Sequence, residues 1–241
     1  IILASILVPV LLFAKLDNIY VILMVLTTLW LGFIGFMDDY IKIFKKNKEG
    51  LAARSKVVGQ IILGLIVGVT LFFSKDVIIM EKVPISDLTA RERIELLDPQ
   101  KPYYPDGQVT MERKSLKTTI PFVKNNEFNY AWLVAFIPEK YRPVFTWLVF
   151  VLIVIFILIS VSNGANLTDG LDGLATGTSA IIGTALGILA YVSSNVIYAS
   201  YLNIMYIPNS GELVIYASAM IGATIGFLWY NSYPAQVFMG D

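Results

Sequence analysis

Three polar segments of this chain carry carboxylates where ionised groups are costly unless something compensates them. Asp38 and Asp39 follow a long apolar stretch, Asp169 and Asp172 lie in the glycine-rich segment NGANLTDGLDGLATG, and Asp241 is the last residue of FMGD. Carboxylate oxygens suit Mg²⁺, and a carboxyl group whose pKa is raised can accept a proton. The chain has no histidine and no cysteine, which excludes imidazole bases, thiolate metal sites and cysteine nucleophiles. Any chemistry must therefore use carboxylates, lysines, amides and backbone groups.

The paired acids of the segment MDDYIK have two interpretations. Neighbouring residues on a helix are about 100° apart, so Asp38 and Asp39 cannot share a face, whereas Asp39 and Lys42 can. Two carboxylates at a membrane boundary could bind a cation or accept a proton. Alternatively, they are the solvated end of a transmembrane helix, although such ends usually carry Lys or Arg on the cytoplasmic side. The motif alone leaves both interpretations open.

The glycine-rich segment contains more acids than a helix start requires. Asn166, Thr168 and Asp169 are residue types that cap helix N-termini, and the pattern predicts a helix that starts near residues 171–175. One acid is enough for capping, but Asn166, Asp169 and Asp172 recur at every third position. They share a face if the turn is helical. The segment therefore predicts a bound cation or ligand, with simple capping as the alternative.

Two further segments could contact phosphates or an aromatic ring. Residues 38–56 carry six Lys and Arg residues, which could hold phosphates or anionic lipid head groups, or could simply set the membrane topology. In the segment YNSYPAQVFMGD, Phe238 could stack on a base. Asp241 could bind a metal there, with Gly240 allowing a tight backbone. The alternative for this segment is an interfacial aromatic residue and a loop acid.

The polar segments must be positioned by membrane-spanning helices. Hydrophobic residues make up 56% of the chain and charged residues 15%, against about 25% charged residues in typical globular proteins, and the mean hydropathy is +0.70. Uninterrupted apolar runs near the length of a bilayer span favour helices over a barrel. We predict an all-α, polytopic transmembrane helix bundle of about six spans, the first partial, in a single domain. The predicted spans are residues 1–14, 19–37, 57–73, 144–162, 173–193 and 213–230.

The distribution of positive charge orients the bundle. The basic loop 38–56 is predicted to be cytoplasmic, because cytoplasmic loops carry an excess of Lys and Arg. Counting spans alternately places residues 163–173 and Asp241 on the same side. The sequence therefore predicts that five aspartates converge on the cytoplasmic face.

The polar segment 74–143 is predicted to be an extracytoplasmic insertion. Within it we predict a short amphipathic helix at 85–97, short strands in 107–123, and no chemistry. The formal net charge of the chain is zero, so nothing indicates nucleic acid as a partner.

Taken together, the motifs resemble a known enzyme superfamily. GFMDDYIKIFKKNKEGLAARSK, NGANLTDGLDGLATG and YNSYPAQVFMGD, in this order and on one predicted membrane face, resemble the polyprenyl-phosphate N-acetylhexosamine-1-phosphate transferases (glycosyltransferase family 4). KTTIPFVKNNEF is similar to the subgroup that transfers phospho-N-acetylmuramoyl-pentapeptide. The resemblance covers nearly all of the chain except residues 76–113.

The resemblance implies an enzyme of peptidoglycan synthesis in the bacterial cytoplasmic membrane, with its active site on the cytoplasmic face. The phosphate of undecaprenyl phosphate would attack the β-phosphorus of UDP-N-acetylmuramoyl-pentapeptide, release UMP and require Mg²⁺. These two substrates and the lipid bilayer would be the partners, and a homodimer is left open.

The resemblance also implies roles for individual residues. Asp38, Asp39 and Asp241 would be catalytic, and Asp241 would hold Mg²⁺ with help from Asp169. Asp38 and Asp39 would bind, deprotonate or position the lipid phosphate, although a phosphate monoester with a second pKa of about 6 needs a base only weakly near neutral pH. The residues that would offset charge on the phosphoryl group are Lys42, Lys46, Arg54 and Lys56. Those that would shape the nucleoside pocket are Asn166, Asp169, Gly170, Leu171, Asp172, Asn231 and Phe238, the last by stacking on uracil.

One departure from the family pattern and two alternatives accompany this interpretation. The family begins with earlier spans and continues past Asp241 into a loop with a His-rich motif, so we expect this chain to be a fragment lacking both ends and inactive alone. The nearest alternative is a sister transferase that moves N-acetylglucosamine-1-phosphate to a polyprenyl phosphate. An ion-coupled transporter would also bind a cation with acids, but it predicts acids at mid-bilayer depth and repeated halves.

Overall fold

The computed structural model describes residues 1–47, 49–84, 108–114, 116–120 and 126–240. The described residues form seven α-helices: α1 (Ile2–Phe13), α2 (Ile19–Phe44), α3 (Ala53–Phe73), α4 (Arg142–Thr168), α5 (Leu174–Ser193), α6 (Val196–Tyr201) and α7 (Leu213–Asn231). They also form the strands β1 (Ile79–Pro84), β2 (Gln108–Arg113), β3 (Lys117–Thr119) and β4 (Glu127–Asn129). Short 3₁₀ turns occur at Tyr130–Val134 and Ser210–Glu212.

Five helical segments are long and apolar enough to cross a membrane. They are α2, α3, α4, α5 and the segment Ser210–Asn231 that contains α7, while α1 is a shorter apolar helix. Since a helix satisfies its backbone hydrogen bonds internally, such segments are stable in a bilayer. The predicted all-α polytopic bundle is confirmed, and the chain is a multi-pass membrane protein.

The helices extend further than the apolar runs predicted at the end that carries the polar motifs. Helix α2 continues to Phe44 rather than ending at residue 37, and α4 continues to Thr168 rather than ending at residue 162. Hydropathy detects only the apolar part of a helix, whereas the backbone hydrogen bonds that define the helix continue beyond it. Asp38, Asp39 and Lys42 therefore project from helical turns and not from a loop.

Helices α3 and α4 pack closely because α3 presents glycines to α4. A Cβ on Gly64 would lie 2.9 Å from the Cα of Ile155, and one on Gly68 would lie 3.3 Å from Val151 side-chain atoms. Small residues spaced four apart allow two membrane helices to approach in this way. The Gln60 side chain joins the same pair nearer to the polar motifs, where its Nε2 donates to Ser162 Oγ at 3.0 Å. The Gln60 Oε1 accepts from Asn163 Nδ2, also at 3.0 Å.

Helices α5 and α7 form a second close pair. A Cβ on Gly183 would overlap the Met220 side chain, and one on Gly187 would lie 3.1 Å from the Cβ of Ala217. Helix α1 packs against α7, and a buried cluster of side chains links α1, α2 and α7: Ile6, Val10, Val21 and Tyr216.

The described part of the predicted insertion contains two small antiparallel sheets. Strand β1 pairs with β2, with Ile79 opposite Arg113, and β3 pairs with β4, with Lys117 opposite Asn129. The strands predicted in 107–123 are thus present at β2 and β3, whereas β1 and β4 were not predicted. The helix predicted at 85–97 lies outside the described residues.

Candidate active site

The polar motifs are brought together at one end of the bundle. Side-chain contacts link the end of α2 to the loop before α3, α3 to the end of α4, and the start of α5 to the end of α7. A further contact joins α2 to the segment 232–240 that follows α7. The segments that the sequence predicted to converge are therefore neighbours in the structure.

Asp38, a residue of α2, is fully buried against the loop before α3. Its Oδ1 accepts a hydrogen bond from the backbone N of Leu51 at 2.7 Å and pairs with Lys56 Nζ at 3.1 Å. Its Oδ2 pairs with Lys42 Nζ at 2.5 Å. A carboxylate removed from water needs such partners, because its desolvation is expensive. The sequence pattern allowed Lys42 to share a face with Asp39, but this ion pair joins it to Asp38, four residues before it.

Gly50 allows the loop to close over Asp38. Its φ of +68° lies in the left-handed region that favours glycine. A Cβ at this position would lie 2.6 Å from Asp38 Oδ1 and 2.7 Å from Lys42 Cε. Neither Gly50 nor the N–H of Leu51 was predicted to belong to the site. The available signal was a glycine that ends the charged run KKNKEG.

Asp39 faces the other end of the chain. Its carboxylate is half-buried and packs against Gly240, where an added Cβ would overlap Asp39 Oδ2. The contact places Asp39 beside the residue that precedes Asp241, and Asp241 itself lies outside the described residues. The two neighbouring acids of α2 thus serve different contacts, Asp38 towards the loop before α3 and Asp39 towards the C-terminal segment.

The glycine-rich turn separates two helices, and the residues that were predicted to cap the second helix belong to the end of the first. Asn166 and Thr168 belong to the last turn of α4, Asp169 caps its carboxyl end, and α5 begins only after Gly173, whose φ is +76°. The predicted start near 171–175 is confirmed, since α5 begins at Leu174, but the predicted N-caps are wrong, because Asn166, Thr168 and Asp169 end the preceding helix. Nor do Asp169 and Asp172 share one continuous helical face. A carboxylate at the carboxyl end of a helix opposes the helix dipole, so a nearby cation would stabilise Asp169.

Asn231 connects the start of α5 to the segment after α7. Its Oδ1 accepts hydrogen bonds from the backbone N of Gly173 at 3.2 Å and from Thr176 Oγ1 at 2.8 Å. Its Nδ2 donates to the carbonyl oxygen of Val237 at 3.0 Å. The side chain is buried, and these bonds satisfy polar atoms that would otherwise be costly there. Asn231 thus holds two walls of the site together, and Thr176 is a contributor that the sequence did not reveal.

Asp172 makes a second connection between the same two segments. Its Oδ2 accepts a hydrogen bond from the backbone N of Ala235 at 3.0 Å, and the contact is exposed. Together with Asn231, it fixes the position of residues 232–240 relative to the glycine-rich turn.

Several other predicted residues are exposed at this end of the bundle. They are Lys46, Arg54, Asn166, Gly170, Leu171 and Phe238. Within the described residues, Lys46 and Arg54 take no part in the ion pairs around Asp38. Phe238 is 73% exposed, so its ring is accessible to a planar ligand.

The donor chemistry of the site fits a hard divalent cation. Among the described residues, no group of three potential metal-ligating side chains lies together. Mg²⁺, however, is usually bound by one or two carboxylates together with substrate phosphates and water. The Asp39 carboxylate beside Gly240 and the Asp169 carboxylate at the end of α4 supply oxygens of this kind. The residues present therefore fit Mg²⁺, with Asp241 as the adjacent ligand implied by the resemblance.

Comparison with known families gives one match to a family and many to individual proteins. The sequence model of the family described as Glycosyl transferase family 4 matches residues 117–241. This span contains the glycine-rich turn, Asn231 and the C-terminal segment.

Curated relatives align along the whole chain. It is 61% identical to the phospho-N-acetylmuramoyl-pentapeptide-transferase of Parabacteroides distasonis, with 100% of this chain and 54% of the relative covered. It is 57% identical to the protein of the same name from Flavobacterium psychrophilum, of which 56% is covered, and 58% identical to that from Bacteroides thetaiotaomicron, of which 54% is covered; both alignments span all of this chain. The chain thus spans about half the length of these relatives.

Proposed function

The chain belongs to glycosyl transferase family 4, and we propose that the whole protein transfers phospho-N-acetylmuramoyl-pentapeptide from its UDP-linked donor to undecaprenyl phosphate, giving lipid I and UMP. The names of the relatives supply this activity, and the chain spans about half of their length. The observation that carries the proposal is the packing of Asp39 against Gly240. It joins the MDDYIK and FMGD motifs at the end of the bundle that also holds the glycine-rich turn.

The lysines at the end of α2 and the start of α3 would bind the phosphoryl groups. Lys42 and Lys56 lie within ion-pair distance of one buried carboxylate and are partly exposed, with 35% and 25% of their side-chain surface accessible. Ammonium groups fixed in advance stabilise charge on a transferring phosphoryl group without reorganisation during the reaction. Lys46 and Arg54, which are exposed nearby, would add to the positive potential.

Asp39, Asp241 and Asp169 would hold Mg²⁺. When bound, the ion would neutralise pyrophosphate oxygens and thereby favour departure of UMP. Asp39 would orient the lipid phosphate from the α2 side, while Gly240 allows the C-terminal segment to approach this carboxylate. A general base would be needed only weakly, because a phosphate monoester with a second pKa of about 6 is mostly ionised near neutral pH.

The glycine-rich turn and the segment 232–240 would form the nucleoside pocket. Phe238 would stack on uracil, and Gly170, Leu171 and Asn166 would line the same cleft from the turn. Asn231 and Asp172 would keep the two walls at a fixed separation through their hydrogen bonds to Gly173, Val237 and Ala235.

The site would face the cytoplasm in the bacterial inner membrane. The Lys and Arg excess at the α2–α3 loop supports this orientation, since such residues are enriched in cytoplasmic loops. The nucleotide donor would then reach the site from the cytoplasm, and the acceptor from the lipid bilayer.

A two-donor assay of the intact protein tests the proposal. The purified protein in lipid, with Mg²⁺ and undecaprenyl phosphate, is offered UDP-N-acetylmuramoyl-pentapeptide or UDP-N-acetylglucosamine. We expect UMP release and a lipid-linked product with the first donor. Turnover with UDP-N-acetylglucosamine alone would instead identify the sister transferase, and turnover with neither donor would contradict both assignments.

A further inference from the structure

The two acids of α2 differ in what they can reach. Asp38 has no exposed surface, and both of its carboxylate oxygens are engaged, by Leu51 N and Lys56 on one side and by Lys42 on the other. A general base must come within hydrogen-bond distance of the proton that it removes. The buried position of Asp38 therefore separates it from a substrate, whereas the lysines that it holds are partly exposed.

We propose that Asp38 is a positioning residue that holds the ammonium groups of Lys42 and Lys56 side by side as a binding site for an anionic phosphoryl group. This inference rests on the proposed function, because it assigns a role within the same site. In it, the lysines contact the phosphoryl oxygens and Asp38 acts only through the lysines.

The electrostatics of the cluster support this role. The negative member of the cluster is buried, while the two positive members are partly exposed. Two ammonium groups that pair with one carboxylate would repel each other without it, and their flexible four-carbon stems would adopt many rotamers. Asp38 offsets the repulsion and selects one arrangement, so an anion would meet a site that is already formed.

The loop before α3 is shaped to complete the cluster. Lys42 is on α2 and Lys56 is on α3, so the loop between the helices decides whether both can reach Asp38. The bond from Leu51 N to Asp38 closes the loop, and Gly50 makes room for it. A glycine with positive φ at the point of closest approach is expected of a loop built to surround this carboxylate.

Two variants disturb the cluster in different ways. Asp38→Asn removes the charge with little change of shape, and Gly50→Ala displaces the loop from Asp38 without changing any charge. We expect both to raise KM for a phosphate-bearing substrate at least tenfold, while the pH profile of kcat keeps its shape. The substrate whose KM rises, undecaprenyl phosphate or the UDP-linked donor, identifies the source of the phosphoryl group. Asp17→Asn, a change of an exposed acid in the turn between α1 and α2, is the matched control.

A coupling measurement separates positioning from direct catalysis. If Asp38 acts through Lys56, adding Asp38→Asn to Lys56→Gln should reduce kcat/KM by less than the two single effects multiplied. Full multiplication of the effects would overturn the proposal. So would a fall of kcat by about a thousandfold or more in Asp38→Asn with KM unchanged and one limb of the pH profile lost, since that is the signature of a general base.

A readout that does not need turnover keeps this inference apart from the proposed function. Lysine acetylation of the intact protein, followed by mass spectrometry, measures protection by inorganic pyrophosphate. We expect pyrophosphate to protect Lys42 and Lys56 in the unaltered protein and not in Asp38→Asn, while the exposed Lys140 reacts equally in both. Absence of protection in the unaltered protein would overturn the inference even if transfer is observed. Protection without transfer would contradict only the proposed function.

Discussion

The side-chain oxygen of Asn231, the last residue of α7, lies 3.2 Å from the backbone N of Gly173 and accepts its hydrogen bond at the start of α5. A side-chain acceptor at a helix start usually comes from the preceding residue of the same chain segment. Here the preceding residue is a glycine without a side chain, and the acceptor is supplied across the α5–α7 interface. The hydrogen bonds of Asn231 therefore fix three segments relative to one another: the start of α5, the end of α7 and residues 232–240.

Replacing Asn231 by Ala should weaken the connection between these three segments. The change removes hydrogen bonds to Gly173, Thr176 and Val237 and leaves buried polar atoms without partners, which we expect to cost about 2–4 kcal/mol. Unfolding of the purified protein in mixed micelles measures the loss, and we also expect a higher KM for the UDP-linked donor. Asn195→Ala is the control, because Asn195 caps α6 through Ile197 and Tyr198. It should lower stability by about 1 kcal/mol without changing KM, and equal effects on KM would contradict the assignment.

Replacing Gly240 by Ala should weaken the apparent affinity for Mg²⁺ specifically. The added methyl group would overlap the Asp39 carboxylate and push the C-terminal segment away from α2. We expect the Mg²⁺ concentration for half-maximal activity to rise about tenfold, which corresponds to about 1.4 kcal/mol. Gly177→Ala is the matched control, since nothing lies within 4 Å of its added Cβ and alanine favours a helix. An unchanged Mg²⁺ requirement in Gly240→Ala would remove Asp39 from the ion site.

The role of Asp172 can be separated by two substitutions. Its Oδ2 accepts from Ala235 N, and an asparagine oxygen can accept the same bond, whereas alanine cannot. We expect Asp172→Ala to raise KM for the UDP-linked donor about tenfold, the equivalent of about 1.4 kcal/mol, and Asp172→Asn to remain near the original value. Equal loss in both variants would show that the negative charge itself is required.

Phe238 offers a test of the nucleoside pocket. Removal of a ring that stacks on a base costs about 1–3 kcal/mol, so Phe238→Ala should raise KM for the donor about 5- to 150-fold, and Phe238→Tyr should retain most of the affinity. Phe136→Ala is the control, because Phe136 is similarly exposed, at 85% against 73%, but lies before α4 in the segment predicted to be extracytoplasmic. A matching change of KM in the control would indicate a general effect on folding or insertion.

Replacing Gly64 by Ala tests the packing of α3 against α4. Alanine at this position would place its Cβ 2.9 Å from the Ile155 Cα, and overpacking of this kind costs about 1–3 kcal/mol. The unfolding free energy of Gly64→Ala should fall by that amount, whereas Gly222→Ala on α7, with nothing within 4 Å, should leave it unchanged or higher. Equal stability of the two variants would mean that α3 and α4 do not pack as described.

Much of this protein could be predicted from its sequence, because the relevant signals are local. The apolar runs determine the membrane helices, since only a helix or closed barrel satisfies backbone groups in lipid, and the order of the three acidic motifs indicated the family. Phe238 and Arg54 were predicted from residue type and motif, and both are exposed at the end of the bundle that carries the polar motifs.

Only the tertiary structure decided how neighbouring acids divide their contacts. Asp38 and Asp39 are adjacent residues of one type in MDDYIK, yet Asp38 pairs with Lys42 and Lys56 while Asp39 packs on Gly240. Likewise, the sequence suggested an acid-capped start for α5, but the side-chain acceptor there is Asn231, from a helix that is distant along the chain. Charge and hydropathy are properties of single residues or short windows, whereas these contacts depend on the packing of α2 and α7, which brings residues far apart in sequence within hydrogen-bond distance.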